Sequence, residues 1–316
     1  MQDKKLRIAL IAGGTSGERQ VSLNGAKGVE AALDPAKFQV FRYDPATDLK
    51  KLAADATEID FAFILLHGLF GEDGTMQGFL DLLDIPYQGS GVLGSAIAMD
   101  KNLAKELYKL NGLPVADWQV ITARDVIEPG ELSARFGLPV VIKPVREGSS
   151  LGLTLAQTEG ELAAGIERAL AHDTEVMVEC YVKGRELTVG VLGNNKPEPL
   201  PVIEIVPGEE FAFFDYDAKY KPGASEEICP AQISDDVTKL TQRYAVVAHR
   251  ALRLKGYSRT DMMYSEDGAV YLLETNTIPG MTETSLMPQA AAAHGLPFSQ
   301  FLERLVELGL EGRSVK

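Results

Sequence analysis

The sequence predicts an α/β chain that opens on a parallel sheet and turns to α+β in its C-terminal part. Three observations carry this. Short apolar runs at Leu6 to Ala12, Phe38 to Tyr43 and Phe61 to Leu66 flank a helical stretch from Glu18 to about Leu33, the opening of an α/β unit. Further apolar strands recur at Leu138 to Pro144, Glu175 to Tyr181 and Leu187 to Leu192. Near the C-terminal end, Tyr257 to Tyr264 and Ala269 to Thr275 bracket the turn residues Ser265-Glu266-Asp267-Gly268, which makes a β-hairpin the economical reading.

With 316 residues, 45% of them hydrophobic, the chain buries a substantial core and has room for two or three domains. A net charge of −14 argues against a nucleic-acid surface, so an anionic ligand has to be gripped locally. Cys180 and Cys229 are far apart and form no metal-spaced or C-x-x-C cluster. The opening MQDKKLRIALIAGG has too short an apolar run for a signal segment, and no stretch approaches a membrane span. A cytoplasmic protein with no nucleic-acid or membrane partner is expected.

The first strand runs into Gly13-Gly14-Thr15-Ser16-Gly17, a glycine turn at a helix N-terminus that suits an anion but matches neither nucleotide-binding glycine motif. Glu18 stands in the loop mouth, placed to hold an ammonium or to complement the helix dipole. The third strand runs into His67-Gly68-Leu69-Phe70-Gly71-Glu72-Asp73-Gly74, at the carboxyl end where open parallel sheets bind ligands. Gly89-Ser90-Gly91-Val92-Leu93-Gly94 fits G-x-G-x-x-G but follows a poor strand and lacks the acidic partner, so it reads as a domain-joining turn. Ser95 to Leu110 is then expected to be one helix carrying Met99-Asp100-Lys101.

In the middle third, a buried strand ends in Lys143-Pro144 and is followed by Arg146-Glu147-Gly148-Ser149-Ser150-Leu151-Gly152. Backbone donors of such a loop can close over a polyphosphate while Lys143 neutralises it from beneath. The stretch Val178 to Val182 could line a flat apolar cleft for an adenine, with Glu186 on the ribose. Phe211 to Tyr220, set between Pro-Gly pairs, has the composition of a long loop that folds onto ligand.

The C-terminal hairpin carries the chemistry. Asp261 faces Glu274 and Asn276 across it, and the pleat puts Glu274 and Asn276 on one face. All three offer the oxygen ligands that Mg²⁺ prefers. Arg259 adds a permanent cation, and Ile278-Pro279-Gly280 turns the chain just after Asn276, a combination suited to oxyanion chemistry on phosphate.

Taken together, GGTSGERQVS, HGLFGEDGTMQG, MDK, KPVREGSSLG, YDAKY, RTDMM and LLETNTIPGMTETSLMP resemble the D-alanine–D-alanine ligase family of the ATP-grasp superfamily, in order from about residue 6 to about residue 305. The resemblance implies a three-domain ATP-grasp architecture, with an N-terminal α/β substrate domain at 1–97, a central ATP-grasp domain at 98–186 and a C-terminal ATP-grasp and metal-binding domain at 187–316. ATP would phosphorylate the carboxylate of one D-alanine, and the amine of a second would attack the acyl phosphate.

Carried over by position, the resemblance gives Glu18 the first ammonium, linked to Ser149 and Tyr220, with His67 beside it. Lys101, Lys143 and Lys219 match lysines on ATP phosphates, and Glu179, Val182 and Glu186 match adenosine contacts. Asp261, Glu274 and Asn276 match ligands of two magnesium ions, for which manganese could substitute. Arg259 and the Gly280 amide match oxyanion donors, and Ser285 and Leu286 the second carboxylate site. A homodimer is implied. Departures from the family pattern are Cys180 for a lysine near the adenine, Gln20 for a glutamate, Leu69-Phe70 for a more polar pair and Ile278 for a serine. Rival readings are D-alanyl-D-lactate or D-alanyl-D-serine synthesis and a non-catalytic nucleotide-binding regulator. Tyr220 favours the dipeptide, and competent residues at the matched positions favour the enzyme.

Overall fold

Four consecutive residues without solvent contact, Ile8 to Ile11, identify the first strand as the centre of a sheet covered on both faces. In the computed structural model, which describes residues 5–126, 128–148, 151–208 and 225–311, β1 (Leu6–Ile11) lies between β2 (Phe38–Tyr43) and β3 (Phe61–Ile64), parallel to both. Helices α1 (Arg19–Ala32), α2 (Leu49–Ala54) and α3 (Thr75–Leu82) complete this unit. Ser149, Lys219, Tyr220 and the 211–220 loop lie outside the described residues.

Where one helix was expected over Ser95 to Leu110 there are two, α4 (Val92–Met99) and α5 (Lys101–Leu110). Asp100 leaves the helical region at φ −84°, ψ 100°, and its carboxylate accepts the Leu103 N–H, capping α5. A short acceptor that satisfies an orphan amide offsets the lost helical bond. The Lys101 N–H then donates to Val145 O, tying the break to the middle of the chain. Of the Gly89–Gly94 segment, expected as a turn, only Gly89 to Gly91 lie outside regular structure; Val92 to Gly94 begin α4, and Gly89 (φ +85°) sits so close to Tyr257 that a Cβ would lie 3.2 Å from the ring.

A four-stranded antiparallel sheet follows, built from β4 (Trp118–Thr122), β5 (Val140–Pro144), β6 (Thr154–Ala156) and β7 (Glu175–Cys180) in the order β4-β7-β5-β6. α6 (Pro129–Phe136) and α7 (Glu159–Leu170) supply the other half of its core. α7 buries Leu162, Gly165, Ile166 and Ala169, the i, i+3, i+4, i+7 stripe of a helix lying on a sheet, and starts at Thr158, whose hydroxyl accepts the Glu161 N–H.

The five-stranded antiparallel sheet has the order β10-β9-β8-β11-β12, with β8 (Gly184–Leu192), β9 (Glu198–Pro207), β10 (Ser225–Ile228), β11 (Tyr257–Ser265) and β12 (Val270–Asn276). α8 (Asp235–Ala251) packs through Ala245 and Ala248 against Val189, Val202 and Met262 of this sheet. α9 (Leu286–Ala293) and α10 (Phe298–Leu310) join the two ends of the chain. Phe301, Leu302 and Leu305 share one core with Ile8 and Phe61 of the first sheet and with Ile203 and Tyr257 of the last. That shared core brings the N-terminal loops up to the β11–β12 hairpin.

Candidate active site

β11 and β12 form the expected hairpin, with the Gly268 N–H donating to Ser265 O and Gly268 at φ +89°. Asp261 pairs in register with Glu274 and Arg259 with Asn276, and a bulge between Asp261 and Met262 interrupts the ladder at this point. Arg259 donates through Nε and Nη2 to the two oxygens of Asp261 at 2.9 and 2.7 Å, and Asn276 Nδ2 donates to Asp261 Oδ2 at 3.0 Å. Thr188, on the neighbouring strand β8, donates its hydroxyl to Asp261 Oδ1 at 2.5 Å. Burial works against the Arg259 charge, but Asp261, Glu274 and Glu186 outweigh it and hold the guanidinium above its ordinary range.

The donor chemistry here fits a hard divalent cation. Among the described residues no group of three or more His, Cys, Asp or Glu is arranged for a metal. Magnesium in nucleotide sites is held by one or two carboxylates together with phosphate oxygens and water, which is what Asp261, Glu274 and the Asn276 carboxamide can offer. With both Asp261 oxygens engaged by Arg259, a cation would share or displace those hydrogen bonds.

One end of the hairpin face that carries Asp261 and Glu274 borders a cleft of about 290 Å³ between the four-stranded and five-stranded sheets. Val141, Leu155, Met263 and Leu273 give it apolar walls, the Glu179–Val182 segment joining β7 to β8 lies along it with Glu186, and Lys101 and Lys143 enter from one end. Lys143 Nζ lies 2.5 Å from Glu179 Oε1, and Lys101 Nζ reaches the Glu147 carbonyl and lies 3.4 Å from Glu274 Oε2. Burial alone would raise the Glu179 carboxyl, but Lys105 and Lys143 override it and hold it at about 2.

The other end of the same face, at Arg259 and Asn276, borders a cavity of about 380 Å³. Glu18, His67 and Glu72 approach from the first sheet, Arg259 from the hairpin, and Gly280, Ser285 and Leu286 from the turn into α9. Glu18 is 5% exposed, and a Cβ on Gly148 would lie 3.0 Å from its Oε2, so the loop after β5 reaches this carboxylate. Burial lowers the pKa of His67, with Glu18 pulling the other way. The Glu72 carboxyl is pushed up to about 8 by burial and by Glu18 and Glu274, although the Gly68 N–H donates to its Oε2 at 2.8 Å. Ser285 Oγ accepts the Thr282 N–H at 3.1 Å.

Glu274 lines both cavities, with Asp261 facing the first and Arg259 and Asn276 the second. One face of the hairpin therefore borders both, and it places hard-metal donors and a guanidinium where the apolar-walled cleft meets the polar chamber. Such an arrangement can pass a phosphoryl group from one ligand to another while stabilising charge on the oxygens in between.

Of the residues expected at a site, Glu18, His67, Arg259, Asn276, Gly280, Ser285 and Leu286 meet around the polar chamber, and Lys101, Lys143, Glu179, Val182, Glu186 and Asp261 around the cleft. The Gly13–Gly14 turn has its anion within the chain: Gly14 N–H donates to Asp44 Oδ1 at 3.0 Å, and Arg19 lies 2.5 Å from the same carboxylate. Sequence reasoning missed Thr188, Glu72, Asp44 and Lys105. Only Glu72, inside the HGLFGEDG run, and Lys105, one helical turn after Lys101, left a signal that could have found them.

A family model described as D-ala D-ala ligase C-terminus matches residues 107–307, and one described as D-ala D-ala ligase N-terminus matches residues 44–90. A protein named D-alanine–D-alanine ligase from Desulfotalea psychrophila is 65% identical over 309 residues, 98% of this chain and 96% of its own length. The crystal structure of D-alanine–D-alanine ligase from Bacillus anthracis complexed with ATP superposes with a TM-score of 0.85 at 34% identity, covering 97% of this chain and 98% of that one. The VanG D-Ala:D-Ser ligase of Enterococcus faecalis superposes with a TM-score of 0.82 at 34% identity, covering 97% of this chain and 100% of that one.

Proposed function

The chain belongs to the D-alanine–D-alanine ligase family, and we propose that its two cavities divide the labour of that reaction, nucleotide at one end of the ligand-bearing face of the β11–β12 hairpin and amino acids at the other. It is an ATP-dependent ATP-grasp ligase that joins two D-alanines for peptidoglycan synthesis. The carboxylate of the first D-alanine attacks the γ-phosphorus and ADP leaves. The amine of the second attacks the resulting acyl phosphate, loses its proton, and inorganic phosphate departs from the tetrahedral intermediate.

The observation that carries the division is Glu274, which lines both cavities, with Asp261 beside it in the first and Arg259 beside it in the second. Lys101 and Lys143 bind the nucleotide phosphates, while Glu179, Val182 and Glu186 serve the adenosine end of the cleft. Glu18, beside His67, holds the ammonium of the first D-alanine. Arg259 and the Gly280 amide are the preorganised donors for the oxyanion of the tetrahedral intermediate. Ser285 and the N-terminus of α9 at Leu286 take the second carboxylate, where helix amides are suited to an anion. Ser149, Lys219 and Tyr220 complete these sets by position in the sequence.

Asp261, Glu274 and Asn276 would hold two magnesium ions, or manganese in their place. Such cations neutralise charge developing on β- and γ-phosphate oxygens. The three-part division near residues 97 and 186 belongs to the same reading; the nearest breaks are Asp100, between α4 and α5, and residues 181–183, between β7 and β8. A homodimer is part of the reading too. A nucleotide co-substrate and the unpaired thiols Cys180 and Cys229 support a cytoplasmic location. Among the described residues no helix is long and apolar enough to cross a membrane.

The test is a steady-state assay that follows ADP release and dipeptide together, with and without D-alanine. One dipeptide per ADP, and ADP release only with D-alanine, is expected. If Glu18→Gln altered the apparent affinity for ATP and left that for D-alanine untouched, the division of the cavities would be wrong.

A further inference from the structure

Lys105 is the only lysine among the described residues with no measurable solvent exposure. Its Nζ lies 2.7 Å from Glu179 Oε2, and the other oxygen of that carboxylate lies 2.5 Å from Lys143 Nζ. Glu179 is 3% exposed and Lys143 8%, so two ammonium groups share one carboxylate in a place water barely reaches. The Lys105 ammonium also donates to the Ala116 carbonyl at 3.5 Å. On its far side the Lys105 ammonium stands 5.2 Å from the centre of the Trp118 ring, and Trp118 pairs in register with Glu179 across β4 and β7.

Glu274, 3.4 Å from Lys101, acts on Lys143 as well, so Lys101, Lys105 and Lys143 face two carboxylates and the set is one anion short, a costly excess in a low-dielectric site that a further anion completes. Of the two lysines on Glu179, only Lys143 faces the cleft; Lys105 is sealed behind Glu179. Burial pulls the Lys105 ammonium down, and Glu179 opposes that pull.

We propose that Lys105 is a positioning residue for nucleotide binding: by sharing Glu179 it prevents that carboxylate from neutralising Lys143, and so leaves the positive charge of Lys143 available to a phosphate in the cleft. The inference rests on the reading of Lys143 as a phosphate ligand. It also gives α5 two tasks one turn apart, with Lys101 reaching Glu274 of the five-stranded sheet and Lys105 reaching Glu179 of the four-stranded one. Glu179 then acts through its charge on Lys143, in addition to the backbone it contributes along the cleft.

The experiment is displacement of a fluorescent ATP analogue by ATP, with thermal unfolding recorded for every variant. In Lys105→Met, Glu179 and Lys143 become a neutral pair, and ATP affinity should fall about tenfold, the order of one charge-assisted hydrogen bond, while KM for D-alanine moves less than about twofold. In the double variant Lys105→Met/Glu179→Gln the charge of Lys143 is released again, and affinity should return to within about threefold of the parent. A residue that merely props the fold predicts that thermal unfolding and KM for D-alanine move together with ATP affinity in both variants, whereas here KM for D-alanine stays put while ATP affinity falls and recovers. Unchanged affinity in the single variant, or no recovery in the double, overturns the proposal. If Lys105→Met does not unfold cooperatively, Lys105→Gln and its double with Glu179→Gln are held to the same criteria. Failure of the parent protein to bind the analogue would overturn the phosphate reading itself, which separates the two failures.

Discussion

Arg259 and Asp261, two residues apart on β11, are joined by two hydrogen bonds of 2.9 and 2.7 Å that fill both oxygens of the carboxylate. A strand places such residues on one face, and the bulge immediately after Asp261 alters the ladder where they meet. The guanidinium fork fixes the orientation of the Asp261 carboxylate, which we assign to a divalent cation, while Arg259 also lines the polar chamber.

That fork makes Arg259→Lys a severe change. A lysine keeps the charge but loses the planar pair of donors. We expect kcat to fall by about 10²–10³, the magnitude of a lost oxyanion donor, with a much smaller change in KM for ATP. Steady-state kinetics at saturating D-alanine checks this, and a change confined to KM for ATP would contradict it.

Glu18→Gln removes an anion from a position 5% exposed and facing the chamber. KM for the first D-alanine should rise at least tenfold, the order of a charge-assisted hydrogen bond, with affinity for ATP nearly unchanged. Initial rates at varied D-alanine separate the two amino-acid sites.

Glu72 makes stability depend on pH. Its carboxyl is pushed up from the ordinary 4.5 to about 8 in the folded chain. Below 4.5 both states carry the proton, so there is no penalty. From there up to about 8 the unfolded chain ionises while the folded one retains its proton, so stability falls as pH rises and the penalty is constant above that. Glu72→Gln removes the penalty and keeps an acceptor for the Gly68 N–H. In the absence of nucleotide and divalent cations, Tm of the variant relative to the parent should climb by about 3 °C or more between pH 5 and pH 8. A difference that stays flat with pH would count against the raised Glu72 carboxyl.

Beneath the hairpin, the Tyr108 hydroxyl donates to Thr275 Oγ1 at 2.7 Å, and Thr275 meets Thr260 Oγ1 at 3.0 Å, all in full burial. Tyr108→Phe should lower stability by about 1 kcal/mol, the net value of a buried hydrogen bond, as read by the urea midpoint at constant m.

The hairpin was legible because alternation and turn chemistry are local. Glu274 and Asn276 fall on one face by the pleat alone, but Asp261 comes opposite Glu274 only through the bulge beside it, because the Tyr264–Val270 register by itself would set Asp261 against Leu273. Thr188 was not legible, because it reaches Asp261 from a strand 73 residues away and nothing in its own neighbourhood announces the contact. The helix break at Asp100 was missed for a different reason: an aspartate on a helix surface and one capping a new helix read alike until the Leu103 amide is seen to need it. The glycine turn read correctly as an anion site, but the anion is Asp44, supplied by the loop after β2. Lys105 shows the limit of periodicity. Helical spacing from Lys101 places it on the buried face of α5, but why a lysine is stable there depends on Glu179 and Trp118, which only the folded sheet brings to it.

The most direct test of the hairpin's role is a manganese titration, reading free Mn²⁺ by electron paramagnetic resonance at saturating ATP, in the parent protein and in Asp261→Asn. Two ions bound per chain in the parent, with at least one lost or bound more than tenfold more weakly in the variant, is the predicted result. Equal stoichiometry and affinity in the two proteins would contradict the assignment of Asp261, Glu274 and Asn276 to the cations and, with it, the account of the site.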